Sequence, residues 1–279
     1  MTYNFGKSVW MIFPIFLLFL LFNEEQLFGE EHSAIPVLTR MNVAHRGASF
    51  LAPENTLMAF RIAISAGADG AECDVLSSSD GVIFLSHDKT AKRTLGGGDQ
   101  NLTQMTYADI QQLDAGKWKG KQFQGEPVPK LDDYLELLKG TSCHPVVEIK
   151  MEGIEQPVLE AIRKQDLVEV TTIIAFSEKV VKEIRRLEPN ICVAWLYSEN
   201  LKDKGTAKEN AQRLTEFFVK KCRELDVTVL DLASPILSAD LVQNLQNAGI
   251  HVWCWTVDNT NQMNTLLDWG VESITTNRP

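Results

Sequence analysis

Beyond residue 40 the chain alternates short, nearly continuous apolar runs with longer runs of helical spacing, and no other feature restricts its fold so tightly. Strands are expected over 42–45, 70–75, 145–149, 172–176, 192–196, 228–232, 251–257 and 273–276. Helices are expected over 55–66, 131–139, 156–165, 178–187, 207–225, 239–248 and 260–269. Pro53 and Asn55 open the first helix and Gly67 closes it. A helix between consecutive strands requires parallel pairing and right-handed crossovers. Eight strands in this order read as one α/β domain, a closed (β/α)8 TIM barrel over 41–279.

The rhythm breaks in two places. Only residues 76–81 separate the second strand from another strand-like run, 82–85. A parallel crossover needs about a dozen residues, and Asp80-Gly81 is a hairpin turn signal. The run is therefore expected to double back as a β-hairpin and return His87 to the barrel rim. Residues 88–130, Gly-rich and polar, form a small rim insertion and a candidate lid, with Trp118 and Phe123 as lid contacts or anchors. At the other end no helical run follows 273–276, so the eighth helix is expected to be absent, with residues before Arg40 covering the gap.

The N-terminus has a different character. Lys7 precedes an unbroken apolar run of fourteen residues from Val9 to Phe22, and Glu24, Glu25, Glu30 and Glu31 follow it. That run is shorter than the roughly 20 residues that span a bilayer and matches the core of a secretory signal. Residues 1–29 are expected to be a signal peptide or a membrane anchor, and 30–40 a linker, which places the folded part outside the cytoplasm. A net charge of -10 without a basic stripe excludes a nucleic-acid partner. Cys73, Cys143, Cys192, Cys222 and Cys254 show no metal-type spacing and are expected to be small buried hydrophobes, with a disulfide from Cys143 or Cys222 as the alternative.

Two of the expected strands carry charge where a buried strand should be apolar: Ala71-Glu72-Cys73-Asp74-Val75 and Val146-Val147-Glu148-Ile149-Lys150. Side chains two apart on a strand face the same way, so Glu72 projects with Asp74 and Glu148 with Lys150. Burying three carboxylates costs several kcal/mol apiece without compensation, and one lysine is too little for three acids. A hard divalent cation satisfies them. Barrel active sites form at the carboxyl ends of the strands, and there His45 and Arg46 end the first strand while His87 returns by the hairpin. Two imidazoles can accept and donate protons near neutrality. A cation with Arg46 and Lys150 would stabilise charge on phosphoryl oxygens. Together they point to phosphodiester cleavage.

The run Ala44-His45-Arg46-Gly47 with Pro53-Glu54-Asn55-Thr56 resembles the opening of glycerophosphodiester phosphodiesterases. The likeness continues through Glu72-x-Asp74, Asp80-Gly81, His87-Asp88 with Arg93-Thr94, Trp118-Lys119-Gly120, Glu126-Pro127-Val128-Pro129, Glu148-Ile149-Lys150 and Trp255-Thr256-Val257. The resemblance implies a (β/α)8 barrel, dependence on Ca²⁺ or Mg²⁺, and hydrolysis of a small-molecule glycerophosphodiester to an alcohol and sn-glycerol 3-phosphate. It implies that Glu72, Asp74 and Glu148 ligate the metal and that His45 and His87 are the acid–base pair. By the same resemblance Arg46 and Lys150 hold phosphate oxygens, Trp255 lines the glycerol side, and the substrate's own 2-hydroxyl attacks. The chain departs from the pattern at Thr276-Asn277-Arg278-Pro279, where the family usually has Thr-Asp. That departure is expected to bear on the closing strand and to leave the catalytic set untouched.

Other readings stand beside these. Glu72 and Asp74 could pair only with Arg46 and Lys150, Glu54 is read as structural in a helix's first turn, Asn55 as a cap, and one or both of Trp253 and Trp255, which share a strand face, as plain core. His32, His144 and His251 have no functional partner in the sequence. Competing functions are a lysophospholipase D or sphingomyelinase D-like enzyme, which would need an apolar acyl channel, and a catalytically silent surface binding protein, which would be expected to lack His45 or His87.

Overall fold

The computed structural model describes residues 41–199 and 205–279, so the expected leader and linker, and any covering role for residues before Arg40, lie outside the described residues. The elements in chain order are β1 (Met41–Ala44), α1 (Leu57–Ala66), β2 (Gly70–Ser77), β3 (Ile83–Leu85), the one-turn α2 (Tyr107–Ile110), α3 (Leu131–Leu138), β4 (His144–Ile149) and α4 (Glu155–Lys164). Then follow β5 (Thr172–Ala175), α5 (Glu178–Leu187), β6 (Cys192–Tyr197), α6 (Ala207–Leu225), β7 (Val229–Ala233), α7 (Ala239–Asn247), β8 (His251–Trp255), α8 (Thr260–Asp268) and β9 (Ser273–Thr276). The sheet runs β1-β9-β8-β7-β6-β5-β4-β2 and closes through β1–β2 pairing. All eight barrel pairings are parallel, and only β3 runs antiparallel, against β2. This is the expected (β/α)8 barrel.

Period-two alternation divides the strand side chains into two cores. Met41, Val43, Val146, Ile174, Cys192, Ala194, Leu196, Val229 and Trp253 fill the barrel interior. Their neighbours one residue away, such as Ala44, Val147, Ile173 and Leu230, pack outward beneath the helices. Helix starts are fixed by side-chain caps: Thr56, Ser177, Thr206, Ser238 and Asn259 each accept a first-turn N–H. All five cysteines are buried and unpaired.

One expectation changes. Asn55 is no cap: it sits at φ 56°, and α1 starts two residues later, because the Asn55 amide is bound to Asp74 and leaves capping to Thr56. Residues 88–130 form a compact segment against the hairpin rather than a string of turns. They carry apolar side chains of their own, Ala91, Leu95, Leu102, Tyr107, Ile110, Ala115 and Val128, which pack onto Leu76 and Phe84 of the hairpin. Asn277–Pro279, the described residues after β9, are not helical. No helix among the described residues is long and apolar enough to cross a membrane.

Candidate active site

The strand register assembles the site. β2 lies in parallel register with β4 so that Asp74 is directly opposite Glu148, and Glu72 occupies the same inward face one pleat below. The hairpin returns alongside: the Ser86 N–H donates to the Asp74 carbonyl at 3.0 Å, which brings the next residue, His87, to the rim. At the end of β1 the backbone turns sharply, with Arg46 at φ 58° and Gly47 at φ 79°. A Cβ on Gly47 would lie 2.7 Å from Ala59, so only glycine lets the turn pack on α1. The turn aims the Arg46 N–H at Glu72 Oε2, 2.8 Å away.

His45, Arg46, Glu72, His87, Glu148, Lys150 and Trp255 line one cavity at the barrel mouth, together with Phe176 and Asp231. Asp74 is fully buried, held by Asn55 Nδ2 at 2.8 Å and by ion-pair contacts to Arg46 Nε at 3.2 Å and Lys150 Nζ at 3.5 Å. Trp255 donates its indole N–H to the Asp231 carbonyl at 3.1 Å and meets Phe176 edge-on at 5.6 Å. Of the two tryptophans on this strand, Trp253 is core, and Trp255 packs against that core and borders the cavity.

Ligand atoms of Glu72, Asp74 and Glu148 all lie within 4.8 Å of one another. Glu72 is only 2% exposed, Glu148 8%. Such crowding shows in their acidities. Burial, then the charges of Asp74 and Glu148, push Glu72 well above the usual carboxylate range. Burial and Asp74 push Glu148 up to about 7. Asp74 is desolvated too, yet Arg46, Lys150, His87 and Asn55 bring it below its ordinary value. Burial opposes the charges on Arg46 and Lys150, but the acids around them outweigh it and raise both. Glu72 Oε1 is buried without a hydrogen-bond partner, and Asp74 Oδ1 has none beyond the 3.5 Å ion-pair contact from Lys150. An unpartnered carboxylate oxygen within one crowded cluster, in an all-oxygen donor set, fits a hard divalent cation.

The two imidazoles are held differently. His45 Nδ1 lies 2.8 Å from Asn277 Oδ1, and burial followed by the Arg46 charge lowers its pKa to about 4. His87 Nδ1 lies 2.7 Å from Asp88 Oδ1. Asp88 in turn accepts from Arg93 Nε at 2.6 Å, and Arg93 grips Glu54 with two bonds of 2.7 Å. Arg46 also donates to Glu54, at 2.8 Å, so Glu54 ties the two rim arginines together.

Three features were not foreseen. Asn277 touches His45 after all, because β1 and β9 pair with Ala44 opposite Thr276 and the next residues of each strand meet. Asp258 holds Asn277 in place. Asp231 enters the cavity from β7, and burial with the nearby Glu148 raises its pKa to about 8. Its signal was available: Val229-Leu230-Asp231-Leu232 is an acid in a buried strand, like those of β2 and β4.

Comparison with known proteins agrees with this geometry. The profile of the Glycerophosphoryl diester phosphodiesterase family matches residues 45–279. The chain belongs to that family. A glycerophosphodiester phosphodiesterase of Caldanaerobacter subterraneus subsp. tengcongensis is 30% identical over 244 residues, covering 85% of this chain and 93% of that protein. One from Bacillus subtilis is 29% identical over 260 residues, covering 86% of this chain and 84% of that one. Among solved structures, an Oleispira antarctica phosphodiesterase in complex with the product sn-glycerol-3-phosphate superposes with a TM-score of 0.75 at 26% identity, over 86% of this chain and 94% of that one. A glycerophosphodiester phosphodiesterase from Agrobacterium tumefaciens gives 0.71 at 27% identity, over 86% and 96%. Family membership makes this barrel a phosphodiesterase scaffold whose mouth carries the acid cluster and both histidines.

Proposed function

We propose that this chain hydrolyses glycerophosphodiesters to an alcohol and sn-glycerol 3-phosphate, using His45 and His87 as the acid–base pair and a Ca²⁺ or Mg²⁺ ion held by Glu72, Asp74 and Glu148. The observation that carries the reading is the convergence of two imidazoles, two fixed cations, Glu72 and Glu148 on one cavity, with Asp74 clustered against the two glutamates. Bound among the carboxylates, the cation would supply positive charge to the phosphoryl oxygens and favour the transition state. Arg46 and Lys150 stay charged at any working pH and hold the phosphate diester against the strand ends. Trp255 and Phe176 form an apolar wall suited to the glycerol carbons. One imidazole removes the proton from the attacking hydroxyl, which the family resemblance makes the substrate's own 2-hydroxyl. The other protonates the departing alcohol oxygen.

The test is release of glycerol 3-phosphate from glycerophosphocholine or glycerophosphoethanolamine. Turnover that vanishes with chelator and returns with Ca²⁺ or Mg²⁺ is expected, as is at least ~100-fold lower kcat in either His→Ala variant. No release with metal present, or unchanged turnover in a His→Ala variant, overturns the assignment. Residues 1–29 are proposed to direct the barrel out of the cytoplasm, on the charge and length of the apolar run. Cell fractionation tests that placement.

A further inference from the structure

The proposed reaction needs one imidazole to accept a proton and one to donate, and the surroundings of His45 decide which. Asn277 Oδ1 lies 2.8 Å from His45 Nδ1 and also accepts from Ser49 Oγ at 2.8 Å. An amide can present either its oxygen or its NH₂ group to a ring nitrogen, and the two are nearly identical in shape. Here the far side of the amide removes the ambiguity. Asn277 Nδ2 is 2.7 Å from Asp258 Oδ2, and the Asn277 backbone N–H and Thr276 Oγ–H both donate to Asp258 Oδ1, at 2.8 and 3.0 Å. An ionised carboxylate only accepts, so it must face the NH₂ group. That leaves the amide oxygen toward Ser49 and His45, where its two lone pairs take the Ser49 O–H and the His45 Nδ1–H. A ring that donates from Nδ1 and carries no charge has its lone pair on Nε2, the remaining nitrogen of a side chain that lines the cavity.

We propose that Asn277, clamped by Asp258, is a positioning residue that holds His45 in its Nδ1–H tautomer and so makes His45 the proton acceptor of the first step and His87 the donor. The inference rests on the phosphodiesterase reading above. In that step Nε2 of His45 takes the hydroxyl proton as the new O–P bond forms. His87 delivers a proton as the P–O bond to the leaving alcohol breaks. Each end thus moves one proton, and His45 becomes an imidazolium still bonded through Nδ1–H to a neutral oxygen. When water later opens the cyclic phosphate, both transfers reverse. An aspartate at position 277, which the family resemblance makes usual, would set a second carboxylate within about 3 Å of Asp258, where the two could not both ionise without cost.

Nitrogen-15 NMR of the histidine rings in the full chain at pH 7 reads the tautomer directly. A protonated Nδ1 and bare Nε2 for His45 is expected; a protonated Nε2, or a doubly protonated ring, overturns the proposal. In kinetics, Asn277→Ala should lower kcat ~10–100-fold with KM within ~2-fold, since orientation of the base is lost and the phosphate contacts are kept. Asn277→Asp should slow turnover similarly, and adding Asp258→Asn in that background should recover most of it by restoring one carboxylate and one amide. An Asn277→Ala enzyme with unchanged kcat, or a double variant no faster than Asn277→Asp alone, overturns the clamp; should the variants fail to fold, the wild-type spectrum decides. Absence of glycerol 3-phosphate release by the wild-type chain would instead overturn the functional reading.

Discussion

The carboxylate cluster makes an unusual demand on stability that Glu148→Gln exposes. In metal-free protein Glu148 keeps its proton up to about pH 7, against an ordinary value of 4.5, because burial and Asp74 penalise its charge. The native state therefore binds more protons than the unfolded chain between those two values. Stability from this group is present below pH 4.5 and is lost as pH rises through 7, a loss of about 3 kcal/mol. The uncharged amide of the Glu148→Gln variant would carry no such penalty. It would keep a weaker bond in place of the 2.8 Å contact from Lys150, which returns part of the gain. A net advantage of about 2 kcal/mol at pH 8 corresponds to roughly 4–8 °C in a domain of this size. Thermal melts in chelator should thus show Glu148→Gln melting higher than wild type at pH 8 and the difference closing by pH 5. Saturating metal should reverse the order. At about 100 times its dissociation constant an ion adds roughly 2.7 kcal/mol to the wild type, and far less to a variant that has lost a charged ligand. A Glu148→Gln protein that melts below wild type in chelator at pH 8, or that gains as much from Ca²⁺ as wild type does, would refute this account of the cluster.

Two further outcomes follow from single residues. Asp231 is buried with Oδ1 unpartnered and its pKa raised to about 8, so in chelator the wild-type Tm should fall between pH 5 and 9 more steeply than that of Asp231→Asn; parallel curves would remove the proposed penalty. Gly47→Ala forces a side chain to φ 79° and its Cβ to 2.7 Å from Ala59, which should cost about 1–3 kcal/mol in melting and lower kcat by displacing Arg46; an active variant with wild-type Tm would show that the turn tolerates a Cβ.

Much of this protein could be read along the chain. The barrel order emerged because hydrophobic periodicity is local, and the observed strands and helices fall within a residue or two of the expected ones at nearly every end. The hairpin emerged because six residues cannot make a parallel crossover. Glu72, Asp74 and Glu148 stood out because charge in an otherwise apolar strand is anomalous wherever that strand lies. Asp231 carries the same signal in β7.

What the chain order concealed are contacts between residues far apart along it. Asn277 meets His45 across 232 positions only because the barrel closes and sets β9 beside β1 in one particular register. Asn55 left its expected capping role for Asp74 because folding of β2 brought a buried carboxylate within its reach. Arg93 reaches Glu54 across 39 residues and links the partner of His87 to Arg46, a network no local pattern encodes. Residue type and spacing fix which groups must be buried or charged, whereas which of them touch, and hence which tautomer and acidity each adopts, is set by the closure of the sheet.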